Sequence, residues 1–296
     1  MHDNPLGTSL SRRALLAGSL GAGLAMTAVD RSFASPIPTV SDSTLSTAAL
    51  TVLATTDIHG HVFDWDYFAD AAFPPSDKGR SSAPLGVSRV ATIAKQVRAE
   101  QGADSVVMLD NGDTIQGTPL TYLSAKQPDK LGHDEVMARA FNLVGYDAAN
   151  IGNHEFNYGI AELFRYHNDL KAPLLCANVI DVKTGKPLTQ GSLMLTKNVA
   201  GHEVKVGIVA VTTPGSMVWD KANLVGKVDI ADPVKTAARY SVRLRKDGAD
   251  VVVVLVNAGL SEVQAAPVYH GLPENNATVL AKSVPEVDLV VIGHTH

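Results

Sequence analysis

Apolar, β-branched runs in this chain end, one after another, in clusters of Asp, Asn, His and Gly. This repeated juncture constrains the fold more than any other feature. Leu50–Thr55 runs into Asp57-Ile58-His59-Gly60, and Ser105–Leu109 into Asp110-Asn111-Gly112-Asp113. The short segment Ala148–Ile151 runs into Gly152-Asn153-His154-Glu155. Val251–Val256 is followed by Asn257, and Leu289–Ile292 by Gly293-His294-Thr295-His296. Such runs read as strands, as do Leu174–Val179 and Lys205–Val211. Helical spacing separates several of them: Val87, Val90, Ile93, Ala94 and Val97; Val136, Met137, Ala140 and Val144; Ile160, Leu163, Phe164 and His167. Pro233 opens a further helix toward Gly248, with Asp232 as its cap. Strands alternating with helices predict an α/β fold with buried, mostly parallel strands. Thr184-Gly185 within Asp181–Pro187 predicts a hairpin turn, and Phe73–Gly86, rich in Pro and Gly, a long surface loop.

In an open α/β sheet, ligands bind in the crevice beyond the carboxyl ends of the strands. Several carboxylates, amides and imidazoles converging there would repel one another or lack hydrogen-bond partners, and divalent cations resolve both conflicts. Imidazole with carboxylate and amide oxygen, and no thiolate, suits manganese, zinc, iron or magnesium better than copper or a cluster. One carboxylate shared between two ions gives a centre about 3.5–4 Å across. Gly152 permits a tight turn that aims Asn153 and His154 together. Strand alternation puts His294 and His296 on one face.

Composition narrows the partners. The chain has 296 residues, 45% of them hydrophobic, which is enough for a large core or two small ones. Its net charge of −5 argues against a broad nucleic-acid-binding surface, whereas small nucleotides remain suitable if cations supply the positive charge. The single cysteine, Cys176, excludes a disulfide framework and a Cys-based zinc site within one chain, and the apolar segment around it predicts burial. At the N-terminus, Ser11-Arg12-Arg13-Ala14-Leu15-Leu16 reads as a twin-arginine export signal. An uncharged stretch from Ala14 to Val29 follows, shorter than the roughly 18–20 residues of a spanning helix. Ser32-Phe33-Ala34 then suits cleavage before Ser35. Residues 1–34 are thus expected to be a signal and 35–48 a linker, with the mature chain periplasmic or secreted, the twin-arginine machinery its partner in transport, and no stable membrane anchor.

The ordered set of clusters resembles the signature of the calcineurin-like metallophosphoesterases, over about residues 50 to 296. Within them the chain is most similar to the 5′-nucleotidase family, and there to the periplasmic branch of 2′,3′-cyclic-nucleotide 2′-phosphodiesterase/3′-nucleotidases. Asp110–Gly117, Gly152–Gly159 and Trp219–Leu224 carry that preference, as does Asn157 where the 5′-nucleotidase branch usually has Asp. The resemblance implies a four-layer αββα sandwich over residues 49–296. It implies one divalent ion held by Asp57, His59, Asp113 and His296, and a second held by Asp113, Asn153, His294 and the residue at 257, with Asp113 as bridge. Manganese, zinc, iron, magnesium or cobalt would serve. His154 resembles the family's catalytic histidine, which faces the phosphate and is not a ligand, with Asn157 orienting it. His61, His133 and His270 match no ligand position.

One departure stands out. The family has His in a His-Ser-Gly-like segment where this chain has Asn257-Ala258-Gly259. An amide oxygen is a weaker ligand than imidazole for zinc-like ions, so the second site is expected to be weaker, more selective for hard cations, or empty. The implied activity is opening of 2′,3′-cyclic nucleotides at the 2′ oxygen and dephosphorylation of 3′-nucleotides. A 5′-nucleotidase or nucleotide-sugar hydrolase, and a degraded relative that only binds nucleotide or metal, stay open as alternatives. Because His296 is both the final residue and an implied ligand, the chain is expected to be a fragment, with the sandwich incomplete and the family's C-terminal nucleotide-binding domain absent.

Overall fold

The computed structural model describes residues 49–72, 85–132, 134–260 and 267–296. The first half of the chain runs β1 (Thr51–Thr55), α1 (Val87–Gln101), β2 (Val106–Asp110), α2 (Pro119–Lys126), α3 (Val136–Val144), β3 (Ala148–Asn150), α4 (Ile160–Asp169) and β4 (Leu174–Leu175). There follow β5 (Val179–Asp181), β6 (Ser192–Val199), β7 (His202–Thr212), α5 (Ser216–Trp219), α6 (Lys221–Leu224) and β8 (Val228–Ile230). The last part is α7 (Pro233–Lys246), β9 (Val251–Asn257), β10 (Pro267–Tyr269), β11 (Leu272–Pro273), α8 (Ala277–Ser283) and β12 (Leu289–Ile292).

Two four-stranded sheets form the centre. One is parallel, in the order β1-β2-β3-β4. The other has the order β12-β9-β7-β6, parallel except for β6, which pairs antiparallel with β7. Strand alternation divides the side chains between two sides of each sheet. Val107, Leu109, Ala148 and Leu175 of the first sheet pack against Val206, Ile208, Ala210, Val253 and Leu255 of the second. The opposite side of the first sheet packs Met108, Ala149 and Leu174 against α1, α3 and α4 through Ala94, Phe141, Leu163 and Tyr166. The opposite side of the second sheet packs Val209, Val211, Val252, Val254 and Val256 against α7 and α8 through Ala237, Leu244 and Leu280. The layers are therefore αββα, as expected. Strands covered on both sides explain why the runs are continuously apolar and not alternating.

The expected cap and turn are present. Asp232 Oδ1 accepts hydrogen bonds from the amides of Val234 at 2.9 Å and Lys235 at 3.0 Å. Asp181 N–H donates to the Lys186 carbonyl at 2.9 Å across the 181–187 hairpin. Cys176 is buried, and burial pushes its thiol up to about 12.

Two strand expectations need correction, and one strand is additional to those expected. The run Leu174–Val179 is not one strand but β4 and β5, because the chain between them turns to the second sheet. Ala177 N–H donates to Ala210, and the buried Asn178 side chain bonds both the amide and the carbonyl of Thr212. The second sheet also has the unforeseen edge strand β6, whose half-buried residues carry little pattern; Ala200-Gly201, both with positive φ, turn it into β7. Asp110 belongs to the end of β2 and is fully buried, so it is not part of the loop that follows. The 1–34 signal, the 35–48 linker, His133 and most of the 73–86 loop lie outside the described residues.

Candidate metal centre

The carboxyl ends of β1, β2 and β3 from one sheet, and of β7, β9 and β12 from the other, open at one edge of the sandwich. Backbone bonds lock the first two loops together: Asp57 N–H donates to Gly112 O at 3.0 Å, His59 N–H to Asp113 O at 2.9 Å, and Gly60 N–H to Thr114 O at 2.8 Å. The sheets are joined by Asn111 Nδ2, which donates to the Val256 carbonyl at 3.0 Å, and by Asn150 Nδ2, which donates to Asn111 Oδ1 and the Val211 carbonyl. Asp57 accepts the amide of His294 on Oδ1 at 3.0 Å and on Oδ2 at 3.1 Å, tying the end of β12 to the end of β1.

Backbone strain concentrates here. Among the described residues, five of the eight non-glycine positions with left-handed φ are Asp57, His59, Asp113, His294 and His296. Each costs about 1–3 kcal/mol, which persists only where the surroundings over-determine the geometry. Glu155 is one cause. Its fully buried carboxylate accepts four amides, from Asp113 (2.8 Å), Thr114 (2.6 Å), Ile115 (3.1 Å) and Gly152 (2.6 Å). Gly152 is required for a different reason: a Cβ there would lie 2.6 Å from both Asp113 N and Asn257 Nδ2.

One donor group comprises Asp57, His59 and His296. His59 Nδ1–H donates to the Gln116 carbonyl at 3.0 Å, which leaves its Nε2 lone pair free. That Nε2 sits 3.1 Å from His296 Nε2, and His296 Nε2 lies 3.5 Å from Asp57 Oδ1. Burial lowers the His59 pKa, and the neighbouring imidazoles of His154 and His296 lower it further. Two imidazoles facing one carboxylate are metal ligands in form.

The second group is recognised by orphaned atoms. Asp113 Oδ2, Asn153 Oδ1, Asn257 Oδ1 and His294 Nδ1 are all buried without a hydrogen-bond partner. The remaining polar atoms of three of these side chains are tethered. Asp113 Oδ1 accepts from His154 N–H at 2.8 Å, Asn257 Nδ2 donates to Asn111 O at 3.3 Å, and His294 Nε2 meets Glu274 Oε1 at 3.1 Å. Leaving such atoms unpaired costs about 1–3 kcal/mol each. Burial, followed by the charge of Glu155, pushes Asp113 up to about 8. A divalent cation would satisfy all four atoms at once, so the residues fit the ions that the sequence implies, Asn257 included.

His154 stands beside both groups. Its ring is 4.9 Å from that of His59, and it can share a cluster with His59 and Asp113. Its Nδ1 lies 2.7 Å from Asn157 Oδ1. Sequence reasoning assigned no role to Glu155, Asn111, Asn150, Glu274 or Asp220, although Glu155 and Asn111 sit inside the quoted clusters. Glu274 has no such signal. His61 lines a cavity of about 450 Å³ with Thr56, Asp57 and Val90. His270 is exposed in the turn between β10 and β11.

The model of the calcineurin-like phosphoesterase family matches residues 50–296. A 2′,3′-cyclic-nucleotide 2′-phosphodiesterase/3′-nucleotidase from Yersinia enterocolitica is 38% identical over 263 residues, covering 87% of this chain and 38% of the relative. A 5′-nucleotidase from Vibrio cholerae is 27% identical over 254 residues, covering 84% of this chain and 40% of the relative. The crystal structure of the calcineurin-like phosphoesterase YfkN from Bacillus subtilis superposes with a TM-score of 0.71 at 31% identity, covering 84% of this chain and 72% of that one. The chain thus spans well under half the length of these two curated relatives.

Proposed function

Because the chain belongs to the calcineurin-like phosphoesterase family, we propose that it hydrolyses nucleotide phosphoesters at a centre of two divalent cations, opening 2′,3′-cyclic nucleotides at the 2′ oxygen and releasing phosphate from 3′-nucleotides. The observation that carries this reading is the set of four buried, unpartnered ligand atoms beside the Asp57–His59–His296 group. One ion would sit on Asp57, His59, Asp113 and His296, and the other on Asp113, Asn153, Asn257 and His294. Such ions supply a nucleophilic water near neutral pH and neutralise charge on the phosphoryl oxygens.

The chain's own residues do the rest. Glu155 fixes the loops carrying Asp113 and Asn153 through its four amide bonds. Asn157 holds the Nδ1 side of the His154 ring, which turns Nε2 toward the phosphate and the leaving ribose oxygen. When that ring is protonated on both nitrogens, the Nε2 proton can pass to that oxygen as the bond to phosphorus breaks, leaving the neutral ring with its proton on Nδ1. Asn157, and the higher identity to the cyclic-nucleotide relative than to the 5′-nucleotidase, favour the 3′ branch.

The test is phosphate release by the full chain with manganese from 2′,3′-cyclic AMP, 3′-AMP, 5′-AMP and a nucleotide sugar. Faster release from 3′-AMP than from 5′-AMP is expected. The reverse order rejects the branch, and metal binding without turnover of any of the four supports the degraded relative. The Arg12-Arg13 pair supports twin-arginine export to the periplasm or beyond. An R12K/R13K variant retained in the cytoplasm as precursor is the expected result, and unchanged export would reject that route.

A further inference from the structure

The segment Ser216–Leu224 folds over the metal centre. Trp219 stacks on the His294 ring at 5.4 Å, and the next residue, Asp220, lies buried at the junction of α5 and α6. Asp220 stands at the N-cap position of α6, yet its side chain accepts no capping bond. Its carboxylate is instead turned toward Asn157, whose Nδ2 lies 3.0 Å from each of its oxygens. Asn223 Nδ2 donates to the Phe156 carbonyl at 2.9 Å, which fixes the same loop from the other side.

An amide has nearly the same shape in its two flipped orientations, so Asn157 alone does not decide which atom meets His154. An ionised carboxylate accepts only. It therefore draws Nδ2 to itself and sends Oδ1 to His154, where only an Nδ1–H can answer it. We infer that Asp220 is a positioning residue: acting through Asn157, it selects the His154 tautomer protonated on Nδ1 and turns Nε2 to the reacting centre. This rests on the phosphoesterase reading only for what Nε2 does there; the tautomer choice follows from the bonds themselves.

The test uses the full chain and three proteins: wild type, D220N, and the swap N157D/D220N. Long-range proton–nitrogen spectra of the metal-free protein, followed across a pH series, read which ring nitrogen of His154 carries the proton directly. Wild type is expected to show Nδ1–H alone, and D220N a mixture, because two facing amides no longer choose an orientation. With manganese, D220N is expected to lose about 30-fold or more in kcat on 3′-AMP with little change in KM. It should lose only about threefold on 4-nitrophenyl phosphate, whose leaving group needs no proton. The swap puts the carboxylate next to His154 and should recover the single tautomer and most of the kcat. A single wild-type tautomer retained in D220N, or equal losses on both substrates, overturns the inference. A wild type with the single tautomer but no nucleotide turnover sinks the nucleotidase reading and not this one.

Discussion

At the scale of single residues, position 257 carries the chemical individuality of the centre. Asn257 places an amide oxygen where the resemblance implies imidazole, and that oxygen is buried and unpartnered. The proposed second donor set is then three oxygens and one nitrogen, whereas the proposed first is two of each. Harder donors favour manganese or magnesium over zinc. N257H is expected to raise zinc affinity at the second site by about tenfold or more relative to manganese, read by competitive calorimetry and by metal content after dialysis. An unchanged zinc-to-manganese ratio would remove Asn257 from the ligands. Gly152 is constrained by space. G152A would drive a methyl group against Asp113 N and Asn257 Nδ2, and should cost about 1–3 kcal/mol in urea unfolding. Every ligand proposed from the sequence falls at this one edge, because each directly follows an apolar run. Glu274 and Asp220 were not legible in that way. They act through a neighbour's second nitrogen or amide, and no spacing along the chain encodes which side chain will answer which.

At the scale of elements, legibility followed burial. β2, β9 and the packed side of α3 announce themselves through continuous or helical apolar spacing, and α7 through Pro233 and its Asp232 cap, whereas the edge strand β6 and the short α5 and α6 do not. The start of α3 shows what pattern alone overlooks. Glu135 caps this helix by accepting the Ala138 amide at 2.7 Å, yet it is fully buried, and burial pushes its carboxyl up to about 8. The folded state thus keeps a proton that the unfolded chain, with an ordinary carboxyl near 4.5, has already released. Between those limits the unfolded state binds fewer protons, so stability falls as pH rises, by up to about 1.4 kcal/mol per unit. E135Q keeps an acceptor for the cap and removes the ionisation. In urea unfolding at several pH values, the variant is expected to lose this slope and to gain on the wild type toward alkaline pH. Parallel curves across the series would show Glu135 to be ionised in the folded state.

At the scale of the whole molecule, the two sheets share the inter-sheet core and also converge on the proposed ions. Asp57 and Asp113 follow strands of the first sheet; Asn257 ends β9 of the second, while His294 and His296 follow β12 in left-handed backbone, so strand alternation does not place them. Without cations, the polar ties across this edge include the Asn111, Asn150 and His294 bonds, and the His296 side chain is 60% exposed. Cations bound at both donor groups would connect β1 and β2 to β9 and β12 directly. Because they bind the folded state and not the unfolded one, they stabilise it by RT ln(1 + [L]/Kd), about 2.7 kcal/mol at a hundredfold excess over Kd. Manganese is therefore expected to raise the Tm, and a chelator to lower it. The location of the effect is the sharper test. Among the described residues β12 pairs with β9 alone, and the residues after it include His294 and His296. Amide exchange in residues 289–296 should slow markedly on manganese addition, while that of β6, at the far edge of the same sheet, should change little. A uniform slowing across the second sheet would mean that the ions stabilise the sandwich as a whole. Slowing confined to 289–296 and the 57–60 loop would place them at the junction of the two sheets, where residues far apart in the chain meet.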